Sequence, residues 1–540
     1  PTSVFSENLV SLDGVAVKPR LSECWRRTRH PRAGIRVALM VCLMATIQIA
    51  VLCSSAEAFN ASERSNTVIY GATDSQRLGF AVAAGDVDND GRDDWLLGTL
   101  SGGIGKAYLF LSSQAHSDRI SLATQAADVT FVGTKDYDDF GSALAIGDWN
   151  GDGVDDVIIG SPGADYGGRS SCGVVYVFYG GTFTSGSVID LSTQSPHVRV
   201  VGVAAGDGFG VSLSTGLFNS DGYADLFAVA DYGWSGKGAA YAITGGSDPA
   251  GTVIDVASSS RVQIKVYNAF SYDGIGECVG AGDINGDGRQ DMILGISFAA
   301  PTFVNFLRGR IAVVFGGNTT RTINLASQNP DLTFWGTSDK DAVGQAVTSG
   351  DLNGDGIDDL IFQANSDRAR EEDPGIVYVL NGRTTWTPGS SYTMSSVKPD
   401  VKILGEADYD GFGESLTVCQ VNNAGPSDLI IGAFSHSTDP ALPQEGAVYL
   451  LPGNSNWQTG HVVYAGSSPE IALKITGGAD TRCGWAVACG NFDGDKYRDL
   501  LIGAPIGDFG ASGFVGRCFV INYDTVFPRS SVDGFWMLLR

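Results

Sequence analysis

The sequence predicts an all-β protein, a seven-bladed β-propeller of four-stranded antiparallel blades. Three observations predict this fold. An acidic loop followed by an apolar strand recurs seven times, at intervals of roughly 60 to 70 residues, through most of the chain. Each repeat contains four short apolar stretches separated by turn residues, and no helix-period segment of useful length interrupts them. Closing such units into a ring leaves only short, protected sheet edges.

Each repeat is predicted to open with a pair resembling Phe-Gly, followed by a first strand of small residues that fits the crowded centre of a ring. The seven pairs are Leu78-Gly79, Phe140-Gly141, Phe209-Gly210, Ile275-Gly276, Val343-Gly344, Phe412-Gly413 and Cys483-Gly484. The acidic loop comes next, and then an apolar second strand such as 156–162. A third strand such as 173–178 and a fourth such as 129–133 complete the blade.

One strand arrives out of order. Residues 67–71 have the pattern of a fourth strand but precede any first strand. We therefore expect them to pair with the last blade and to close the ring.

The segment 1–58 differs from the rest of the chain. Basic residues precede an apolar run from Val37 to Cys53, and Ala56-Glu57-Ala58 then fits a signal-peptidase site. We expect a secretory signal peptide, with an uncleaved type II signal anchor as the alternative. If the segment is uncleaved, it is expected to be the only attachment to a membrane. The propeller is predicted to span 59–525 and a C-terminal tail 526–540. The protein is thus expected to be secreted or displayed at the cell surface.

Composition limits the partners and the redox state. The net charge of −25 argues against nucleic acid, which binds basic surfaces. An oxidising compartment permits disulfides, but the pairing is left open among Cys172, Cys278, Cys419, Cys483, Cys489 and Cys518. The last three share one repeat, where a single bridge and buried free thiols are the two alternatives. Asn60 and Asn318 begin N-glycosylation sequons.

Five acidic loops have the spacing of a calcium site. Side-chain oxygens at loop positions one, three, five and nine, with the backbone carbonyl of position seven, supply the hard oxygen ligands that Ca²⁺ prefers. The predicted ligands are Asp86, Asp88, Asp90, Asp94 and the Arg92 carbonyl; Asp148, Asn150, Asp152, Asp156 and the Val154 carbonyl; Asp283, Asn285, Asp287, Asp291 and the Arg289 carbonyl; Asp351, Asn353, Asp355, Asp359 and the Ile357 carbonyl; and Asn491, Asp493, Asp495, Asp499 and the Tyr497 carbonyl.

Two loops keep the framework and lose ligands. The third has Leu217 at position one, and the sixth has Gln420 at position one and Ala424 at position five. We expect these two loops to bind no metal.

The order Phe-Gly, acidic loop, Gly-Ala-Pro resembles the FG-GAP repeat of the integrin α-subunit propeller, over about residues 60–522. The resemblance implies a non-catalytic adhesion or receptor-like module that binds a protein or glycan on the face opposite the calcium loops. The loops expected there are 165–169, 231–234, 301–306 and 368–373. A structural subunit of an extracellular or membrane-associated assembly is the alternative function.

An enzyme is the less favoured prediction, with no catalytic residue assigned. FG-GAP propellers also occur in glycosylphosphatidylinositol-specific phospholipases, whose chemistry resides in a separate zinc domain without a counterpart in this sequence. The histidines at 116, 197, 436 and 461 match no His-Glu-x-x-His motif, and Gly-x-Ser-x-Gly is absent. Each histidine is expected at the surface.

Overall fold

The computed structural model describes residues 57–231, 238–268, 275, 278–300, 307–338, 340–365, 374–438, 444–506 and 515–527. The predicted signal segment, up to residue 56, and the tail from residue 528 lie outside the described residues. The predicted domain boundaries therefore stay predictions. Among the described helices, none is long and apolar enough to cross a bilayer.

Seven sheets form a closed ring, as predicted. The first strands of successive blades contact one another in order, and the first strand of blade 7 contacts that of blade 1. These innermost strands are Val82–Gly85, Leu144–Gly147, Phe209–Gly216, Cys278–Gly282, Val347–Gly350, Phe412–Cys419 and Ala486–Gly490.

The next three strands of each blade follow antiparallel, from the centre outwards. The second strands are Asp94–Gly98, Asp156–Ser161, Asp225–Ala230, Asp291–Ile296, Asp359–Ala364, Asp428–Ala433 and Asp499–Ala504. The third strands are Ile104–Phe110, Val174–Phe178, Ala239–Ile243, Arg310–Val314, Ile376–Leu380, Ala447–Leu451 and Arg517–Ile521. The fourth strands are Val129–Asp136, Val198–Val201, Val262–Tyr267, Leu332–Trp335, Val401–Leu404, Leu473–Thr476 and, for blade 7, Thr67–Tyr70.

Each blade also carries a short fifth strand that the sequence analysis missed. It pairs parallel with the fourth strand, and in blades 1 to 5 and 7 it comes from the link between the third and fourth strands of the following blade. The fifth strands are Ser187–Asp190, Thr252–Asp255, Arg321–Asn324, Ser390–Thr393, His461–Tyr464, Glu57–Asn60 and Arg119–Ser121. Neighbouring blades are thus joined at the outer edge as well as at the centre.

The core lies between blades. One buried cluster joins Leu109 and Phe131 of blade 1 to Ile159 and Tyr176 of blade 2. The second strands are buried along their whole length, because a neighbouring blade covers each face. This explains why they read as continuous apolar runs rather than as alternating patterns.

The early strand closes the ring as expected. Thr67–Tyr70 pairs antiparallel with Arg517–Ile521 of the last blade, with Ile69 opposite Cys518. Glu57–Asn60 adds the fifth strand of blade 6. Two four-residue helices, Ala61–Arg64 and Tyr523–Val526, complete the regular structure of the described residues.

The structure resolves the cysteine pairing that the sequence left open. Cys419 and Cys489 form a disulfide between the first strands of blades 6 and 7, rather than within the last repeat. Cys172, Cys483 and Cys518 are buried free thiols, and the thiol of Cys278 donates to the carbonyl of Gly344 at 3.3 Å.

Candidate metal centres

The acidic loops join the first and second strands of each blade, so all seven emerge at the same end of the ring. Position nine is in every case the first residue of the second strand. Its carboxylate is buried in all seven blades, with at most 1% of the residue exposed. The loops therefore present their other oxygens around one buried carboxylate each.

The first loop folds around its predicted ligands. Asp86 accepts the backbone N–H groups of Asp90 and Gly91 at 3.1 and 2.9 Å. Gly91 adopts a φ of 88°, which permits the tight turn. Carboxylate oxygens of Asp86, Asp88 and Asp94 all lie within 4.8 Å of one another. This arrangement of hard oxygens fits a divalent cation.

Two backbone N–H groups fix the carboxylate of Asp94 without a metal ion. Its Oδ2 accepts the N–H of Val87 at 3.0 Å, and its Oδ1 accepts the N–H of Ser112 at 2.7 Å. Burial, opposed by these hydrogen bonds, raises the pKa of Asp94 to about 8, and nearby Asp88 and Asp86 add to the rise. A bound cation favours the ionised form of such a carboxylate.

The second, fourth and fifth loops repeat these backbone hydrogen bonds with asparagine at position three. The position-one carboxylates of Asp148, Asp283 and Asp351 accept the N–H of the position-six glycine at 2.9, 2.8 and 2.8 Å. Position-five carboxylates accept the N–H of position seven at 2.9 to 3.0 Å. Burial again raises the position-nine pKa values, to about 7 for Asp156, about 8 for Asp291 and about 7 for Asp359.

The seventh loop has asparagine instead of aspartate at position one and lysine instead of glycine at position six. Asn491 accepts the N–H of Gly494 at 2.9 Å. The Oδ2 of Asp493 accepts a hydrogen bond from the Asn522 side chain at 2.9 Å, so this predicted ligand already has a polar partner. Burial raises the pKa of Asp499 to about 7, as in the other loops.

The third and sixth loops show the same backbone with fewer oxygens. Leu217 stands at position one, where it is 50% exposed. The Gln420 side chain donates to the carbonyl of Gly425 at 2.6 Å. Asp225 and Asp428 remain buried at position nine, with pKa values raised by burial to about 7 and about 6. The buried carboxylate thus belongs to the blade framework, whereas the other oxygens vary.

The opposite end of the ring carries the connections between second and third strands and those that enter each Phe-Gly pair. Of the loops predicted for recognition, only 165–169 and Asp231 lie within the described residues. Arg169 forms a bidentate ion pair with Asp255 at 3.1 and 2.8 Å, and Tyr166 packs against the core. Arg169 and Tyr166 therefore contribute to the packing between blades, whereas Asp165, Gly167 and Gly168 are exposed.

Two exposed tyrosines at this end were missed by the sequence analysis. Tyr137 and Tyr409 occupy the tips of loops that enter Phe-Gly pairs, and each is 74% exposed. Both have positive φ values, 63° and 64°. The recurring Asp-Tyr-Asp triplet at 136–138 and 408–410 was the signal available in the sequence.

The expectation that every histidine lies at the surface is wrong. His436 is only 3% exposed, and its Nδ1 lies 2.6 Å from Oδ2 of the buried Asp410. His436 occupies the position that alanine holds in blades 2 and 4, at Ala164 and Ala299. The residues beside His436 in the sequence gave no sign of its burial, because its partner Asp410 comes from a loop 26 residues away in the chain.

Comparison with known proteins supports the repeat assignment. The FG-GAP repeat family matches residues 140–178 and 343–380. "Phosphatidylinositol-glycan-specific phospholipase D" of Dictyostelium discoideum is 24% identical over 81% of this chain and 50% of its own length. The human protein of that name is 34% identical over 30% of the chain and 18% of its length. "Integrin alpha pat-2" of Caenorhabditis briggsae is 31% identical over 51% and 22%. The chain therefore spans half or less of these relatives.

The prediction that this protein is not an enzyme is overturned by these relatives. Several proteins named as a phospholipase D are 24 to 34% identical to this chain. The prediction relied on the absence of catalytic motifs from the sequence, whereas the similarity to these enzymes lies in the repeats themselves. Absence of a motif from the repeats therefore did not exclude an enzyme.

Proposed function

We propose that this integrin-α-like FG-GAP repeat β-propeller protein is a calcium-stabilised recognition module that is secreted or displayed at a cell surface. The convergence of the Asp86, Asp88 and Asp94 oxygens carries the metal part of this proposal. All donors are carboxylate, amide or carbonyl oxygens, which suit calcium better than zinc or copper.

Calcium would supply positive charge that neutralises the clustered carboxylates of a loop. The residues of the loop and the blade position the oxygens that would bind the ion. Backbone N–H groups hold both carboxylate oxygens of position nine in the blade, as at Asp94, and the backbone N–H groups at positions five and six orient position one. Because the folded loop binds the ion and the unfolded chain does not, binding would stabilise the fold by mass action.

The proposed ligand, a protein or a glycan, docks at the end of the ring opposite the acidic loops. Tyr137 and Tyr409 support this placement, because exposed aromatic side chains at loop tips are frequent anchors in protein interfaces. Phe298, in the connection after a second strand, is a third exposed aromatic residue at this end, 45% exposed.

A matched pair of variants tests the calcium assignment. Asp287→Ala removes the position-five side chain of the fourth loop, which has a full set of oxygens. Asp221→Ala removes the same position of the third loop, whose set of oxygens is incomplete because Leu217 stands at position one. We expect excess chelator to lower the melting temperature of the wild type by several degrees. Asp287→Ala should bind one calcium ion fewer, and Asp221→Ala should bind as many as the wild type. An unchanged melt in chelator would refute the assignment.

A binding screen tests the recognition role. The protein is applied to a glycan array and to intact cells, with calcium and with chelator. We expect calcium-dependent binding that Tyr137→Ala and Tyr409→Ala together reduce at least about fivefold, as for interface anchors. Binding that survives both substitutions would place the ligand elsewhere.

The phospholipase relatives favour a second candidate function, hydrolysis of phosphatidylinositol glycans with the propeller as the glycan-recognising part. Release of a glycan-anchored reporter protein from membranes by the purified chain would support this candidate. A purified chain that binds such glycans without releasing the reporter would support recognition alone. A fixed partner that co-purifies with the chain would instead favour a structural subunit.

A further inference from the structure

The acidic loops are linked from blade to blade by their position-eight residues. Each such residue donates its backbone N–H to the loop of the preceding blade, and at six of the seven boundaries the acceptor is the carbonyl of position one. The six bonds run from Asp155 to Asp86, Ala224 to Asp148, Gln290 to Leu217, Asp358 to Asp283, Ser427 to Asp351 and Asp93 to Asn491, at 2.9 to 3.2 Å. The seventh runs from Arg498 to the carbonyl of Val421, one residue further on.

Three position-eight aspartates add a second bond through their side chains. The Asp155 carboxylate accepts the N–H of Asp86 at 3.2 Å, and that of Asp358 accepts the N–H of Asp283 at 2.9 Å. At the boundary that closes the ring, Asp93 accepts the N–H of Asn491 at 2.7 Å. Both backbone polar groups of the first ligand are then held by one residue of the next blade.

Other loops of the chain lack this second bond and allow a comparison. The first ligands of the second and fifth loops, Asp148 and Asp351, receive only the backbone bond, because Ala224 and Ser427 stand at position eight of the next loop. Gln290 makes the two-bond contact on Leu217, in a loop without a first ligand. The two-bond contact is thus a property of position eight and not of metal binding itself.

We propose that Asp155, Asp358 and Asp93 are positioning residues that set the calcium affinity of the loop in the preceding blade. This inference rests on the proposed calcium binding. Loops one, four and seven depend on a side chain outside themselves, whereas loops two and five do not. Each of the three aspartates belongs to the loop of one blade and acts on the metal site of another.

The physical basis is preorganisation. A ligand whose amide and carbonyl are both fixed loses less conformational freedom when the metal binds, so more of the binding energy appears as affinity. The carboxylates of Asp155 and Asp358 also add negative charge beside the loop, which attracts a cation, whereas the charge of Asp93 is paired with Arg498. An asparagine at position eight retains an oxygen acceptor without the charge, so it separates these two contributions.

Hydrogen exchange read by mass spectrometry, as calcium is titrated into the whole chain, tests the proposal. The measured quantity is the calcium concentration that half-protects peptides covering 86–94 and 148–156. In Asp155→Ala, we expect this concentration to rise about tenfold for 86–94, the effect of losing one charged hydrogen bond, and to change less than about twofold for 148–156. Asp155→Asn should recover part of the loss and supplies a milder variant should the alanine variant fold poorly.

Asp358→Ala is the matched control, expected to shift peptide 283–291 and to leave 86–94 unchanged. A shift confined to the loop that contains the substitution, or no shift in the preceding loop, would overturn the coupling while calcium binding stands. No calcium-dependent protection in any wild-type loop would instead overturn the proposed function.

Discussion

At the scale of single residues, the decisive feature is the carboxylate at loop position nine. The sequence indicated its presence in all seven repeats, and the structure shows that it is buried even where the rest of the ligand set is missing, as at Asp225 and Asp428. The oxygens of Asp225 accept backbone N–H groups of Phe218 and Gly245 in the same blade. Such a carboxylate therefore stabilises the blade whether or not the loop binds a metal. The sequence could predict its position, because the spacing is fixed, but not its burial.

The pKa shifts predict an unusual response to pH in chelator. Burial raises the folded-state pKa of Asp94 and Asp291 to about 8, above the ordinary value near 3.8 of an unfolded chain. Protons therefore bind the folded form more tightly. The stabilising contribution of these groups is complete below about pH 4 and is lost as the pH rises through about 8.

We accordingly expect the melting temperature in chelator to increase by several degrees when the pH is lowered from about 8 to about 6. Saturating calcium should flatten or reverse this trend, because protons then compete with the ion. Differential scanning calorimetry at both pH values, with and without calcium, provides the comparison. Equal pH dependence in the two conditions would contradict the coupling of these carboxylates to a metal.

The position-eight aspartates and His436 show what residue patterns could not reveal. The Asp-Asp doublets at 93–94, 155–156 and 358–359 are visible in the sequence. Their first members, however, reach the loop of another blade, more than 60 residues away in the chain. Contacts of that range depend on ring geometry and leave no local periodicity.

At the scale of elements, the repeat predicted the four antiparallel strands of each blade, because apolar runs and Phe-Gly pairs recur in register. The fifth strand was not predictable in the same way. Segments such as Ser187–Asp190 are four residues long, carry polar ends and pair with a strand of the preceding blade. In sequence they are indistinguishable from ordinary loops.

The disulfide lies at the one described boundary where the linking hydrogen bond does not reach the carbonyl of position one. Cys419 immediately precedes Gln420, in one of the two loops without a complete oxygen set. At this boundary the linking hydrogen bond is displaced to Val421. The bridge thus joins blades 6 and 7 beside the sixth loop. Its 70-residue span exceeds any spacing that would have identified it from the sequence.

Removal of this bridge should be costly. For the double variant Cys419→Ser/Cys489→Ser, we expect the free energy of unfolding to fall by about 4 kcal/mol, from the chain entropy released in a loop of this length. Denaturant titration of oxidised protein measures the loss. Cys172→Ser, at a buried free thiol, is the control for substitution alone. A double variant as stable as that control would show that the bridge does not hold the ring.

At the scale of the whole molecule, one short strand closes the ring. Thr67–Tyr70 supplies the fourth strand of blade 7 from the beginning of the described chain, while the other three strands come from its end. The sequence predicted this pairing because the strand was out of order. Closure places Asp93 of the first loop against Asn491 of the last, which completes the circle of loop contacts.

A charge in the closing strand tests this topology. Ile69 is fully buried, so Ile69→Asp should destabilise the protein by about 3 to 5 kcal/mol, the penalty of an unpaired buried charge. Val188→Asp, at a position 57% exposed on a fifth strand, should have little effect. Chemical denaturation of both variants decides the matter. Equal stability of the two variants would contradict ring closure by this strand.

The central claim is that a closed ring of seven blades holds metal ions in its acidic loops. Native mass spectrometry of the protein in saturating calcium tests it most directly, because the number of bound ions is read from the mass. We predict five calcium ions per chain, one for each loop with a full set of oxygens, and none after dialysis against chelator. A protein that carries no calcium at saturation would contradict the account.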